Sequence, residues 1–104
     1  MKNKRTNTPV HKLEQFFRDI IKRMDEKFTF HDFVLKLARL HQQEYISALV
    51  YFKQKKYPFC NLHAELERRL HNGSYGLNLI NSKKRSQNIF GVHSQCGEWE
   101  KKAI

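Results

Sequence analysis

Two sets of side chains in this sequence have the types and spacing to do chemistry, and they point to different chemistries. Lys83, Lys84 and Arg85 are three adjacent cations with few acids nearby. They cannot all pair internally, so a phosphate backbone is the partner that would satisfy them. Cys60-x-x-His63 and His93-x-x-Cys96 have the short spacing of zinc-ligand pairs, and together they could close a tetrahedral site. Against zinc, Cys60 falls in the first turn of an expected helix, where a small buried cysteine is common, and His63 could equally flank the core. No metal or other cofactor is therefore expected. Cys60 has His63 one turn away but no visible orienting carboxylate or oxyanion loop. There is no Gly-rich phosphate loop and no H-E-x-x-H, and the acids occur singly or as neighbours such as Asp25-Glu26. The expectation is a protein that binds, not an enzyme.

Charge says what it would bind. The 104 residues carry 20 Lys and Arg against 10 Asp and Glu, a formal net charge of +10. Such a surplus favours a polyanion: DNA, RNA or an anionic membrane surface. It is concentrated at the ends. Residues 1 to 27 hold eight cations and four acids, residues 28 to 54 three and two, and residues 55 to 104 nine and four. No stretch approaches the roughly 18 apolar residues needed to span a bilayer. The basic Met1 to Arg5 runs into Thr6-Asn7-Thr8-Pro9, not into an apolar signal core. The two cysteines make no disulfide framework, so a cytoplasmic location is expected.

The elements that must position these groups are legible in the apolar spacing. Residues 1–8 read as a disordered basic arm, and residues 9–104 as one domain with one modest core. Thr8 then Pro9 is a helix start, and Val10, Leu13, Phe16, Phe17, Ile20, Ile21 and Met24 predict one amphipathic helix over 9–26. Its wide stripe would either pair two copies of the chain or wrap the domain. Asp19, Asp25 and Glu26 argue against its lying on a membrane. Thr29 and Asp32 form a capping box, with Phe28 and Phe33 placed as a hydrophobic staple. Phe33, Val34, Leu37 and Leu40 make one buried face. A tight corner near His41 precedes a second buried set: Tyr45, Ile46, Leu49, Val50 and Phe52. After the solvated run Lys53 to Lys56, Pro58 starts a helix on which Phe59, Leu62, Leu66 and Leu70 are buried. Asn72-Gly73 ends it in a left-handed cap. Leu77, Leu79 and Ile80 begin a strand, Val92 to Gly97 turns, and Trp99 lies in a returning strand. The fold class expected is mainly α with a small C-terminal β-hairpin.

In this order, residues 28–102 resemble a winged helix-turn-helix domain, the architecture of many bacterial DNA-binding proteins. The stretch Ser86 to Gly91, with Cys96 and Trp99, is also similar to small bacterial proteins, a likeness that brings no activity with it. The winged-helix resemblance implies that Pro58 to His71 enters the major groove as recognition helix and that Leu77 to Lys102 is a wing on the backbone. The outer face of that helix holds Asn61, Ala64, Glu65, Arg68 and His71. Asn61 and Arg68 could make bidentate bonds to adenine and guanine. The implied nucleic-acid-binding residues are Asn61, Ala64, Arg68, Lys83, Lys84, Arg85, Lys101 and Lys102. Glu65 and Glu67 would sit poorly against phosphates unless they point away. The alternative is a protein-interaction module on the same scaffold. A third reading is an RNA or single-strand binder that stacks bases on Tyr51, Phe52 or Tyr57 beside Lys53, Lys55 and Lys56.

Overall fold

The computed structural model describes residues 8–102, so the expected arm lies outside the described residues apart from Thr8. Thr8 and Pro9 start the chain as their types dictate. The Thr8 hydroxyl accepts from the His11 amide at 3.1 Å, and proline occupies a position where no donor is missed. The single helix expected over 9–26 is two: α1 (Pro9–Glu14) and α2 (Phe17–Arg23). The Gln15 and Phe16 amides bond three residues back, to Lys12 and Leu13, tightening the turn between them. That turn lets the neighbouring rings part company. Phe17 enters the core, while Phe16 stacks on His41 with centroids 3.8 Å apart. Val10, Leu13, Phe17, Ile20 and Ile21 are all buried in the chain's own core. Phe16 and Met24, the other two members of the stripe, are half-buried against the same core.

Lys27–Thr29 forms a strand, β1, too short to show alternation in the sequence. Thr29 then caps α3 (Phe30–Leu40) by accepting from the Asp32 amide at 3.1 Å, and Phe28 stacks on Phe33 across that cap. The corner falls at His41, as expected. Leu40, the last residue of α3, is exposed and not buried, because the chain turns before it can reach the core. α4 (Gln42–Tyr51) departs more. Tyr45 and Ala48 are buried, but Ile46 and Val50 are 57% and 51% exposed. This helix lies between α1 and α5 on a narrow stripe, and the face carrying Ile46 and Val50 has no element against it.

α5 (Pro58–Asn72) begins at its proline and buries Leu62, Leu66 and Leu70. Phe59 sits at the edge of that stripe and is part-exposed. The helix stops at Gly73, but with φ −81°, not in the left-handed region expected. Glycine serves there sterically: a Cβ would run into the ring of Tyr75. β2 (Leu77–Gln87) and β3 (His93–Lys101) then form a long antiparallel hairpin. Its turn is Asn88 to Val92, and His93 to Gly97 belong to the strand instead of the turn expected there. Asn88 decides this, since its side-chain oxygen accepts from the amides of Phe90 and Val92, and Gly91 takes φ +79°.

The three strands make one antiparallel sheet in the order β1-β3-β2, with Phe28, Trp99 and Leu79 in register across it. Among the described residues five helices and this sheet make a mixed α/β architecture, in which the expected C-terminal hairpin supplies two of the three strands. Phe28, Cys96 and Trp99 of the sheet join the helical residues in one core cluster. Among the described residues no helix is long and apolar enough to cross a membrane.

Candidate nucleic-acid interface

The hairpin is held to the helices by a histidine. His31, in the first turn of α3, lies between the two arms. Its Nδ1 is 2.6 Å from the Ser86 hydroxyl and its Nε2 is 3.3 Å from that of Ser94. Ser86 and Ser94 are register partners, as are Lys84 and the buried Cys96. These four residues therefore face the helices. The pleat sends Arg85 to the opposite side, where it is exposed, while Lys84 is half-buried on the inner side; Lys83 is exposed too, in a bulge where β2 takes three steps from Asn81 to Lys84 against two on β3. Of three cations adjacent in sequence, two are thus exposed and one half-buried. The ion pairs among the described residues leave all three without an acidic partner.

Lys101 and Lys102 do not join them. Lys101 pairs with Leu77 at the far end of the hairpin, five residues from Cys96 along β3, or roughly 17 Å at about 3.3 Å per residue. Its ammonium donates to the Met24 carbonyl at 2.7 Å, closing the end of α2. Lys102 is exposed, and its amide is bonded to Gly76.

On α5 the outer face is as the helical projection implies. Asn61, Ala64 and Arg68 are exposed. Asn61 spends one donor on the Tyr57 carbonyl at 2.8 Å. Arg68 forks onto Glu65, with contacts of 3.1 and 2.5 Å. Ala64 and Arg68 border a groove whose other wall includes Ser82 and Trp99, so the structure brings these two residues beside the strand position next to Lys83. The acids are accounted for. Glu67 accepts from the Gly97 amide at 2.8 Å and points into the hairpin. A Cβ at Gly97 would stand 3.0 Å from both Glu67 and the Trp99 indole nitrogen, so glycine lets α5 and β3 approach. Glu65 is held below the ordinary carboxylate range by hydrogen bonds from Arg68 and then Arg69. Arg69 also bonds Glu14 at 2.7 Å, and Glu14 accepts from the Tyr75 hydroxyl at 2.7 Å. That chain ties α1, α5 and the approach to β2 together. Burial, and then Glu14, push the Tyr75 phenol upward.

The zinc pairs do not assemble. Cys60, His63 and Cys96 border one groove, and His93 lies in register with Gln87 beside the hairpin tip. Among the described residues no three His, Cys, Asp or Glu side chains stand where they could hold a metal ion. Of the residues considered for base stacking, Tyr51 and Tyr57 are exposed, with Lys56 5.5 Å above the Tyr57 ring, while Phe52 is half-buried.

Sequence reasoning missed the hydrogen bond of 2.6 Å between the Tyr45 hydroxyl and His63 Nε2, which joins α4 to α5, and the His31 clamp. Neither follows from spacing, because each partner is 18 or more residues away. Burial drives the His63 imidazole down to about 4 from 6.5, and burial also lowers His31. Between pH 6.5 and about 4 the unfolded chain binds a proton that folded His63 refuses, so stability is full above that window and falls as the pH drops through it. The expected loss is on the order of 2–3 kcal/mol across the window, read from urea midpoints. His63→Gln, which keeps an acceptor for Tyr45 but does not titrate, should remove most of that slope and leave the smaller part due to His31.

Comparison of the chain with known protein families, with curated proteins and with solved structures finds no match in any of the three.

Proposed function

We propose that this protein binds duplex nucleic acid, most favourably DNA, through the basic hairpin and the adjoining face of α5, and that it acts by binding and not by catalysis. One observation carries the reading: Lys83 and Arg85 stand exposed on a long hairpin clamped to the core, without acidic partners among the described residues. Cations held this way bind phosphates by releasing counterions and without first breaking internal pairs. Support for a winged-helix arrangement comes from the sheet order β1-β3-β2, in which a short strand after the first helical segment receives the second arm of the hairpin. Between β1 and the hairpin stand α3, α4 and α5, with α5 the last helix before it. In this reading α5 faces the major groove, with Asn61 and Ala64 toward base edges. Arg68 exchanges Glu65 for a phosphate or guanine, and the hairpin lies on the flanking backbone. A cytoplasmic site of action and independence from any cofactor go with it.

Anisotropy of a labelled random duplex tests this. Binding should be measurable at about 50 mM salt and fall steeply by about 200 mM. Absence of binding at the lower salt would refute the proposal. The exposed Ile46 and Val50 on α4 favour one other reading, a protein-interaction module. That module would leave duplex unbound and recover a specific protein partner lost on Ile46→Asp.

A further inference from the structure

The tip of the hairpin is built against the usual preference of a turn. Phe90 and Val92 are 59% and 58% exposed there, on a tight turn where small polar residues are the usual choice. The turn that presents them is rigid. The Asn88 amide donates to the Val92 carbonyl at 2.8 Å, and the Gly91 amide donates to Asn88 at 2.9 Å. The Asn88 side-chain oxygen takes the amides of both Phe90 and Val92, at 2.9 and 3.1 Å. Ile89, between Asn88 and Phe90, packs on the core. Phe90 leans edge-on against Phe59, centroids 5.0 Å apart, and borders the groove that Cys60 and His63 also line. Lys83 and Arg85 stand behind this tip, with Arg85 three residues before Asn88, or about 10 Å along the strand.

We propose that Phe90 and Val92 form an apolar wedge that enters a base step of bound duplex from the minor groove and bends it, while Lys83 and Arg85 hold the flanking phosphates. This rests on the duplex-binding reading above and adds the mode of contact. The charge beside the wedge selects the occupant. Two unpaired cations suit a polyanion whose bases offer apolar faces, and a neutral protein surface would leave them unanswered. Partly unstacking a step is an outlay that the bent duplex recovers by meeting more protein surface. The rigid turn means that no ordering of the tip is charged to binding. The steps entered should be those that unstack easily, TA and CA/TG.

The test uses the whole chain and a short duplex carrying one central TA step in a G·C-rich context, labelled at both ends for fluorescence energy transfer. Binding should shorten the end-to-end distance and be roughly tenfold tighter than to a stiff A-tract duplex of equal length. Phe90→Ala should lose the shortening and the TA preference while keeping the same dependence on salt, because the cations are untouched. Phe90→Leu should retain both. A duplex that binds but stays straight overturns the wedge alone, as does a Phe90→Ala protein that bends it unchanged. Failure to bind any duplex overturns the wedge together with the reading beneath it. Phe90-dependent capture on phosphatidylserine vesicles without duplex bending would show that the tip serves a membrane instead.

Discussion

Replacing Lys83 and Arg85 together by alanine is expected to weaken duplex binding roughly 50-fold at about 0.1 M salt and to make it less sensitive to salt. Each phosphate contact contributes about 0.9 to the slope of log affinity against log salt, so each is worth a little under tenfold at that concentration. Losing both should lower the slope by about 2, uniformly across sequences, since phosphate contacts carry no base information. The fold should be untouched, because both side chains are exposed on β2 and have no acidic partner among the described residues. Lys84→Ala, on the inner side, should do less, and Lys101→Ala should act on stability through the Met24 contact and leave the slope alone. Anisotropy titrations at four or five salt concentrations read all three. Equal slopes for the native protein and the double variant would place the phosphates elsewhere.

The largest effect on stability is expected at Phe33. It has no exposure and its ring meets Phe17 of α2 edge-on at 5.0 Å, Phe28 of β1 at 6.1 Å and Phe30 at 6.1 Å. It is the side chain through which the helices meet the sheet. Phe33→Ala removes the ring and leaves a cavity that this aromatic cluster cannot collapse to fill. The cost should be about 3–5 kcal/mol, a large part of the roughly 5–15 kcal/mol that holds a domain folded. The urea midpoint should fall accordingly, with the slope of the transition unchanged. Phe33→Leu, which keeps most of the volume, should recover more than half of the loss. A midpoint within error of the native protein would mean that the aromatic cluster is not the centre of the fold.

The sequence carried those elements whose signal is local. Thr8-Pro9, Thr29 with Asp32 and the start of α5 at Pro58 were readable because each is a cap or a breaker acting within four residues, and the corner at His41 because Leu40 and Tyr45 do not continue one apolar stripe. What escaped reading was set by distant partners. The break at Gln15-Phe16 follows from seating Phe17 in the core while Phe16 stacks on His41. β1 exists only because β3 returns to pair with it, and three residues are too few for alternation to show. Ile46 and Val50 have the spacing of a buried pair, yet the burial of a helix face depends on what lies against it, and α4 is covered only along Tyr45 and Ala48. The turn of the hairpin was misplaced by one segment because Val92 to Gly97 is polar, while the residue that closes the turn is Asn88.

The candidate site was legible as charge and much less so as geometry. Lys83, Lys84 and Arg85 stand out as three cations in a row, but the pleat parts Lys84 from Arg85, Lys83 falls in a bulge, and the His31 clamp on Ser86 and Ser94 shows which side is inward. Glu65 and Glu67 looked like obstacles on α5. Glu67 turns out to serve the fold through Gly97, while Glu65 remains beside Arg68 and tempers it.

The central claim is that duplex nucleic acid sits on the hairpin and the adjoining face of α5, and it is tested most directly by amide-resolved NMR of the full chain during titration with a random duplex at about 50 mM salt. The account predicts shifts that follow Lys83 to His93 and the Asn61, Ala64 and Arg68 side of α5, with little change on α4. An unchanged spectrum, or shifts gathered around Ile46 and Val50, would contradict it.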